Sequence, residues 1–260
     1  MRLKIDVELD YAIDGAFDML LLVEAAAMPD QVIEQDSLIV TSREPLRAMP
    51  GGDGVGQRCW ALAEGWFQAT YRAIVRLDRP DVALATLGET VPRFLTAEAV
   101  PYLLPSRYCE SDQFEGFIAQ TFDGLRGGAL AAALVDWVAD HISYTSGSST
   151  GATTALTTFA NRQGVCRDYA HLLVTLARAG GIPARCVSAY APDVSPPDFH
   201  AVAELWLDGA WRLADATRMA SAADLVRIAV GRDATDIAFM TTYGPAMLNQ
   251  QQISVVRLDD

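Results

Sequence analysis

Positive charge is scarce in this chain: 20 Lys and Arg stand against 33 Asp and Glu, a formal net charge of −13. No Lys/Arg cluster interrupts the deficit, so electrostatic capture of a phosphate backbone is disfavoured and no nucleic-acid partner is expected. Long apolar runs are missing too. The longest, Met19 to Val23 and Ala129 to Val135, fall far short of the ~20 residues of a membrane span. The opening residues, Met1 to Glu8, alternate polar and apolar where a secretory signal has a continuous apolar core. The expectation is a cytoplasmic protein with no membrane partner. Cysteines number four (Cys59, Cys109, Cys166, Cys186) and include no CxxC pair, so neither a disulfide framework nor a metal site is indicated. Histidines number three. What remains is ordinary globular material: 260 residues, 51% apolar and 20% charged, enough for one large domain or two modest ones.

Residues 1 to about 80 carry a strand pattern. Leu3, Ile5, Val7 and Leu9 alternate with Arg2, Lys4, Asp6 and Glu8, the period of a half-buried strand. Further runs at Phe17 to Glu24, Val32 to Val40, Gln57 to Ala63 and Phe67 to Leu77 are separated by Asp14-Gly15, Met28-Pro29-Asp30 and the turn cluster Pro50 to Gly54. The pattern predicts an antiparallel β sandwich or barrel over residues 1–105. Pro80, Pro92, Pro101 and Pro105 then break any long element. Beyond them, helical patterns at Phe114 to Phe122, Ala129 to Ile142, Thr154 to Ala160 and Cys166 to Ala179 precede strands at Ala184 to Tyr190, Phe199 to Leu207, Trp211 to Asp215 and Ile253 to Leu258. Helices followed by sheet describe an α+β domain, placed at 106–260.

Chemistry concentrates between Gly164 and Arg218. Cys166 opens a helix whose Leu172, Leu173, Leu176 and Ala177 mark deep packing. A cysteine in a first turn sits beside unpaired backbone N–H groups and the positive end of the helix dipole, which favour thiolate. A thiol nucleophile needs a base, and the base needs an orienting acceptor. The downstream strands offer His200 and Asp215. His171 follows Cys166 by five residues, about 140° round the helix, and reads as a packing or capping residue. His141, at a helix end, reads as a C-terminal cap. Asp168 suits the start of a helix by its charge, with Arg167 as its surface partner.

Whether His200 and Asp215 can meet depends on strand register. Asp208-Gly209 is a two-residue hairpin signal that pairs Leu207 with Ala210, Trp206 with Trp211 and Val202 with Asp215. His200 is then the diagonal neighbour of Asp215 on the same face, at roughly 7–8 Å between backbones. A loop one residue longer would turn the carboxylate away.

Gly164-Val165-Cys166-Arg167-Asp168-Tyr169, Gly180-Gly181-Ile182-Pro183-Ala184-Arg185, His200-Ala201 with Glu204, Trp211, and Asp215-Ala216-Thr217 together resemble the core of the transglutaminase-like superfamily. The similarity extends upstream to Tyr144 and Gly147 and downstream to Arg227–Asp233, and resembles the bacterial branch with an N-terminal β domain. The resemblance implies a papain-like α+β core with Cys166 as nucleophile, His200 as general base and later acid, and Asp215 as the acceptor that holds the imidazole. Two positions depart from the family pattern. Val202 stands where Trp is common, which alters the wall near the histidine, and Ala216 stands where Pro is common. Acyl transfer also needs oxyanion donors, each worth about 3–4 kcal/mol in other enzymes. The Cys166 backbone N–H is the natural first donor. Gln163 and Tyr144 are alternative second donors, Gln163 being equally placed to cap the helix.

The function implied is cysteine-dependent acyl transfer on a peptide or protein amide through a thioester, with hydrolysis favoured over amine transfer because it needs no second substrate site. The alternative is a catalytically quiet scaffold of the same fold that binds a peptide or partner protein. No cofactor is implied, and no acidic loop suggests calcium. Alkylation of the native protein, read by mass spectrometry, is expected to modify Cys166 ahead of Cys59, Cys109 and Cys186. Faster reaction at another cysteine would contradict the assignment of the nucleophile.

Overall fold

The computed structural model describes residues 1–258. The chain begins with four antiparallel strands, β1 (Arg2–Leu21), β2 (Gln31–Val40), β3 (Arg47–Pro50) and β4 (Gln57–Leu77). In β1 the odd residues Leu3, Ile5, Val7, Leu9, Tyr11 and Ile13 are buried, as their period of two requires. Asp14-Gly15 does not end this strand, contrary to its turn-like sequence. The ladder between β1 and β4 slips between Ala12 and Ala16 and then continues to Leu21 opposite Cys59. Gly15 (φ +99°) and Gly65 (φ +72°) absorb the irregularity, so two expected pairs of short strands are two long ones. Pro50 to Gly54 belongs to the turn between the paired β3 and β4, as expected.

The connection after β4 is a string of short 3-10 turns, Leu84–Thr86, Pro92–Phe94 and Val100–Leu103. It is not a free linker. It packs on α2 (Gly127–His141), which follows α1 (Glu115–Thr121). A Cβ on Gly128 would lie 2.0 Å from the Leu84 carbonyl oxygen, so only glycine permits this approach. Next come β5 (Ser143–Tyr144), α3 (Ala155–Asn161), β6 (Gln163–Gly164) and the central helix α4 (Cys166–Ala179). Every residue of α4 from Asp168 to Arg178 is buried, because helices cover one side of it and a sheet the other. That sheet is formed by β7 (Ala184–Tyr190), β8 (His200–Leu207), β9 (Ala210–Ala214) and β10 (Val226–Gly231), in the order β10-β7-β8-β9.

The last segment overturns the expected assignment of residues 106–260 to a single second part. After the short α5 (Ala234–Ile237), β11 (Met240–Thr242) and β12 (Ala246–Leu258) both pair with β1. They return to the first sheet because β1 would otherwise be its open edge, and Ile253 becomes buried there. The α+β class stands. The strands of the first sheet are hydrogen-bonded as one six-stranded antiparallel sheet in the order β11-β1-β4-β2, with β12 also on β1 and β3 also on β4. Among the described residues no helix is long and apolar enough to cross a membrane.

Charge ties the two sheets together. Glu204, fully buried on β8, receives Arg185 Nη2 at 2.7 Å and Arg227 Nε at 2.6 Å. Arg227 continues to Asp30 at 2.9 Å and Arg185 to Asp53 at 3.0 Å, both carboxylates belonging to loops of the first sheet. The Gln31 side chain donates to the Arg227 carbonyl at 2.8 Å and accepts from its N–H at 2.8 Å. Glu204→Ala strands two buried guanidiniums, and urea unfolding is expected to show a loss of about 3–5 kcal/mol. A loss below about 1 kcal/mol would mean that the sheets do not depend on this network.

Candidate active site

The helix carrying Cys166 is fixed at its first turn by a buried carboxylate. The Val165 N–H donates to Asp168 Oδ2 at 2.8 Å, while Asp168 Oδ1 accepts from Ser149 Oγ at 2.8 Å and Arg167 Nη2 at 3.2 Å. Gly164 is required beside it, since a Cβ there would lie 2.7 Å from the Asp168 Cβ. Asp168 is therefore a bracket between the α4 cap and the 149 loop, more than a favourable charge at a helix start. Arg167 is not a surface partner either. It is half-buried, donates to Ser149 Oγ at 2.5 Å and the Thr150 carbonyl at 2.6 Å, and lines the cleft. The result is that Cys166, first residue of α4, is the one partly exposed cysteine, while Cys59, Cys109 and Cys186 are buried.

The hairpin of β8 and β9 has the register its turn demands. Leu207 pairs with Ala210, Trp206 with Trp211 and Ala203 with Ala214, across Asp208 (φ +53°) and Gly209 (φ +72°). Asp215 follows directly, and its Oδ2 lies 2.9 Å from His200 Nε2. Three further donors hold this carboxylate: the Thr217 hydroxyl at 2.7 Å, the Thr217 N–H at 2.8 Å and the Ala220 N–H at 3.0 Å. Thr217 was legible as Asp-x-Thr, a pattern in which the side chain bonds two residues on, and it supplies the restraint that a proline at 216 would otherwise add.

His200 and Cys166 line the same cleft. Burial lowers the His200 pKa, but the hydrogen-bonded Asp215 carboxylate and the neighbouring Cys166 sulfur outweigh it and raise the value to about 9. Burial works against the Asp215 anion as well, yet His200 and Thr217 hold its pKa below the usual carboxylate range. The stability contributed by the His200 proton is full below about pH 6.5 and is lost as pH rises through about 9.

The other histidines stand apart. His171 Nε2 accepts the Ala234 N–H at 3.0 Å, and the ring stacks on Tyr108 at 5.1 Å. Burial and the Arg167 charge push its pKa down to about 4. His141 bonds the Trp137 carbonyl of its own helix at 2.8 Å. Of the two alternative oxyanion donors, Gln163 and Tyr144 are both exposed, and neither is among the residues that line the cleft. Tyr144 lies against Cys166, where burial and the sulfur push the phenol up to about 12. Val202 does not line the cleft. It is buried with Val187, Leu213 and Val230.

The cleft has a volume of about 500 Å³. Arg107 and Arg167 stand on its rim with Asp198, and its apolar wall is built by Phe199, Ile237 and Phe239, the two phenyl rings stacked at 4.3 Å. Sequence reasoning missed the 234–241 segment because nothing local marks it as reaching the cysteine. Among the described residues, no three His, Cys, Asp or Glu side chains gather as a metal site. A thiol beside an imidazole, itself bonded to a buried carboxylate, is equipped for nucleophilic attack and proton transfer.

Residues 120–216, which include Cys166, His200 and Asp215, match the family described as the transglutaminase-like superfamily. A solved structure of a candidate cysteine protease from Cytophaga hutchinsonii is 34% identical, with a TM-score of 0.94 over 100% of this chain and 91% of that one. The uncharacterised protein ML0607 of Mycobacterium leprae is 29% identical over 121 residues, 44% of this chain and 43% of that protein's length. The periplasmic domain of TgpA from Pseudomonas aeruginosa aligns at 18% identity over 84% of this chain and 91% of that one, with a TM-score of 0.42.

With only three imidazoles to resolve, proton NMR of the ring C–H groups is expected to show one titrating near pH 4 (His171) and one near pH 9 (His200). Asp215→Asn is expected to bring the upper value down and leave the lower one in place. An unmoved upper value would break the link between His200 and Asp215.

Proposed function

Because the chain belongs to the transglutaminase-like superfamily, we propose that it is a cysteine-dependent acyl-transfer enzyme acting on peptide or protein amides. The observation that carries this reading is the buried His200 Nε2 to Asp215 Oδ2 hydrogen bond of 2.9 Å, with His200 sharing an open cleft with the first residue of α4. Cys166 is the nucleophile. His200 takes the thiol proton, and Asp215 holds the ring with Nε2 toward itself, leaving Nδ1, which has no hydrogen-bond partner among the described residues, for the proton in transit.

Attack of the Cys166 sulfur on the amide carbon gives a tetrahedral oxyanion. The Cys166 N–H, at the head of α4, is its first donor. Tyr144 is the second, since a phenol whose pKa stands at about 12 keeps its proton and can donate it in a hydrogen bond. His200 then gives its proton to the departing amine as the carbon–nitrogen bond breaks and the thioester forms. Water, deprotonated by His200, releases the acyl group and restores the thiol. We favour water over an amine as acceptor because it requires no second binding site.

A panel of peptide amides, assayed with and without a primary amine, tests this reading. Cys166→Ala is expected to abolish turnover and Asp215→Ala to lower kcat by about 10²–10⁴-fold. The wild-type rate is expected to fall as pH passes about 9, where His200 loses the proton needed by the leaving amine. Product in which the amine is incorporated would reassign the reaction to transfer. Turnover unaffected by Cys166→Ala would remove the cysteine mechanism.

A further inference from the structure

A row of four aromatic rings crosses from the first sheet to the cleft. Tyr71 on β4, Tyr190 at the end of β7, Phe199 and Phe239 follow one another at centroid spacings of 6.4, 5.5 and 4.3 Å. The first three are buried, and both tyrosine hydroxyls are tied to backbone: Tyr71 accepts the Ala25 N–H at 2.9 Å and Tyr190 donates to the Val23 carbonyl at 2.6 Å. Phe239 is held through its own backbone, whose carbonyl accepts the Leu22 N–H at 2.8 Å, and its ring lies nearly parallel to that of Phe199, at an interplanar angle of 8°. Phe239 ends the row. It is half-buried, it lines the cleft together with Cys166 and His200, and among the described residues no further ring pairs with it.

On the acyl-transfer reading above, we propose that the cleft selects amides flanked by an aromatic residue, whose ring continues the row onto Phe239. The wall of Phe199, Ile237 and Phe239 offers no hydrogen-bonding side chain, so a polar group seated on it would lose water without gaining a partner. A flat ring placed there gains both the apolar area and the offset or edge contacts that aromatic pairs favour. Room is left for it, because Ala201, Ala234 and Ala238 line the same cleft with a methyl group each. Of the charged lining residues, Arg167 is already paired with Asp168 and Asp198 with Gln251, which leaves Arg107, exposed on the rim, to attract an ion. The buried rings behind Phe239 are fixed before substrate arrives, so little ordering opposes binding. Phe199 is the chain neighbour of His200, and the wall therefore begins one residue from the proton carrier, beside the reacting amide.

The test is a set of otherwise identical peptide amides with Phe, Leu, Ala, Asp or Lys at each position flanking the scissile bond. Phe at one of the two positions is expected to give a kcat/KM about 10–100-fold above Ala, with Leu between them and Asp and Lys no better than Ala. Phe239→Ala is expected to remove most of the advantage of Phe over Ala. Phe239→Leu, which keeps apolar bulk without a ring, is expected to bring the Phe and Leu amides level. A second readout needs no turnover: N-benzyl iodoacetamide is expected to alkylate Cys166 faster than iodoacetamide and with saturation, and to lose that advantage in Phe239→Ala. A benzyl advantage in a chain that cleaves no amide would support the subsite while removing the acyl-transfer reading. Turnover with equal kcat/KM for Phe and Ala at both positions would overturn the subsite and leave acyl transfer standing. A Phe preference that survives in Phe239→Ala, or equal alkylation by the two reagents where no amide is turned over, would overturn it as well.

Discussion

A turn of two residues decides what can meet across β8 and β9. Asp208 and Gly209 both hold positive φ, the conformation that lets two twisted strands join without an extra residue. With Leu207 opposite Ala210, every later pair is fixed, and Asp215 emerges on the face that carries His200. One more residue in the loop would send the carboxylate to the opposite face. The hydrogen bond between them, the raised pKa of His200 and the lowered pKa of Asp215 all follow from that count.

The cysteine is positioned by a different device. Asp168 is buried and bonds the Val165 N–H and the Ser149 hydroxyl, so the first turn of α4 cannot shift without breaking both bonds. Further out, Glu204 and Asp30 link five strands or loops through Arg185, Arg227 and Arg79. Buried ion pairs of this kind add little net stability over apolar packing, but breaking one side of them is costly. They thus act as a latch that holds the first sheet against the second in one relative placement, and the apolar wall of the cleft, from Ile237 to Phe239, lies on the segment that runs between the two.

Much of this was legible in sequence because it is local. The alternation in β1, the apolar face of α4 and the Asp-Gly turn are written within a few residues of where they act. What was not legible depends on distant partners. Asp14-Gly15 has the composition of a turn, yet β4 continues past it and keeps β1 in one ladder. The last strand pairs with the first, a contact that no local pattern encodes. Gln163 and Tyr144 were equivalent by spacing alone. Both side chains are exposed, and what distinguishes Tyr144 is its place beside the Cys166 sulfur, on a strand that pairs with the one leading into α4. Val202 likewise depends on which core its strand faces, and that is set by Val187 and Leu213 from neighbouring strands.

The central claim is that Cys166 carries the acyl group between two half-reactions. Intact-protein mass spectrometry after acid quench during turnover of an amide substrate tests it most directly. Expected is an added mass equal to the acyl portion, mapped by proteolysis to Cys166 and absent from Cys166→Ala. Acyl mass on another residue, or steady turnover by the Cys166→Ala chain with no adduct at any time, would contradict it.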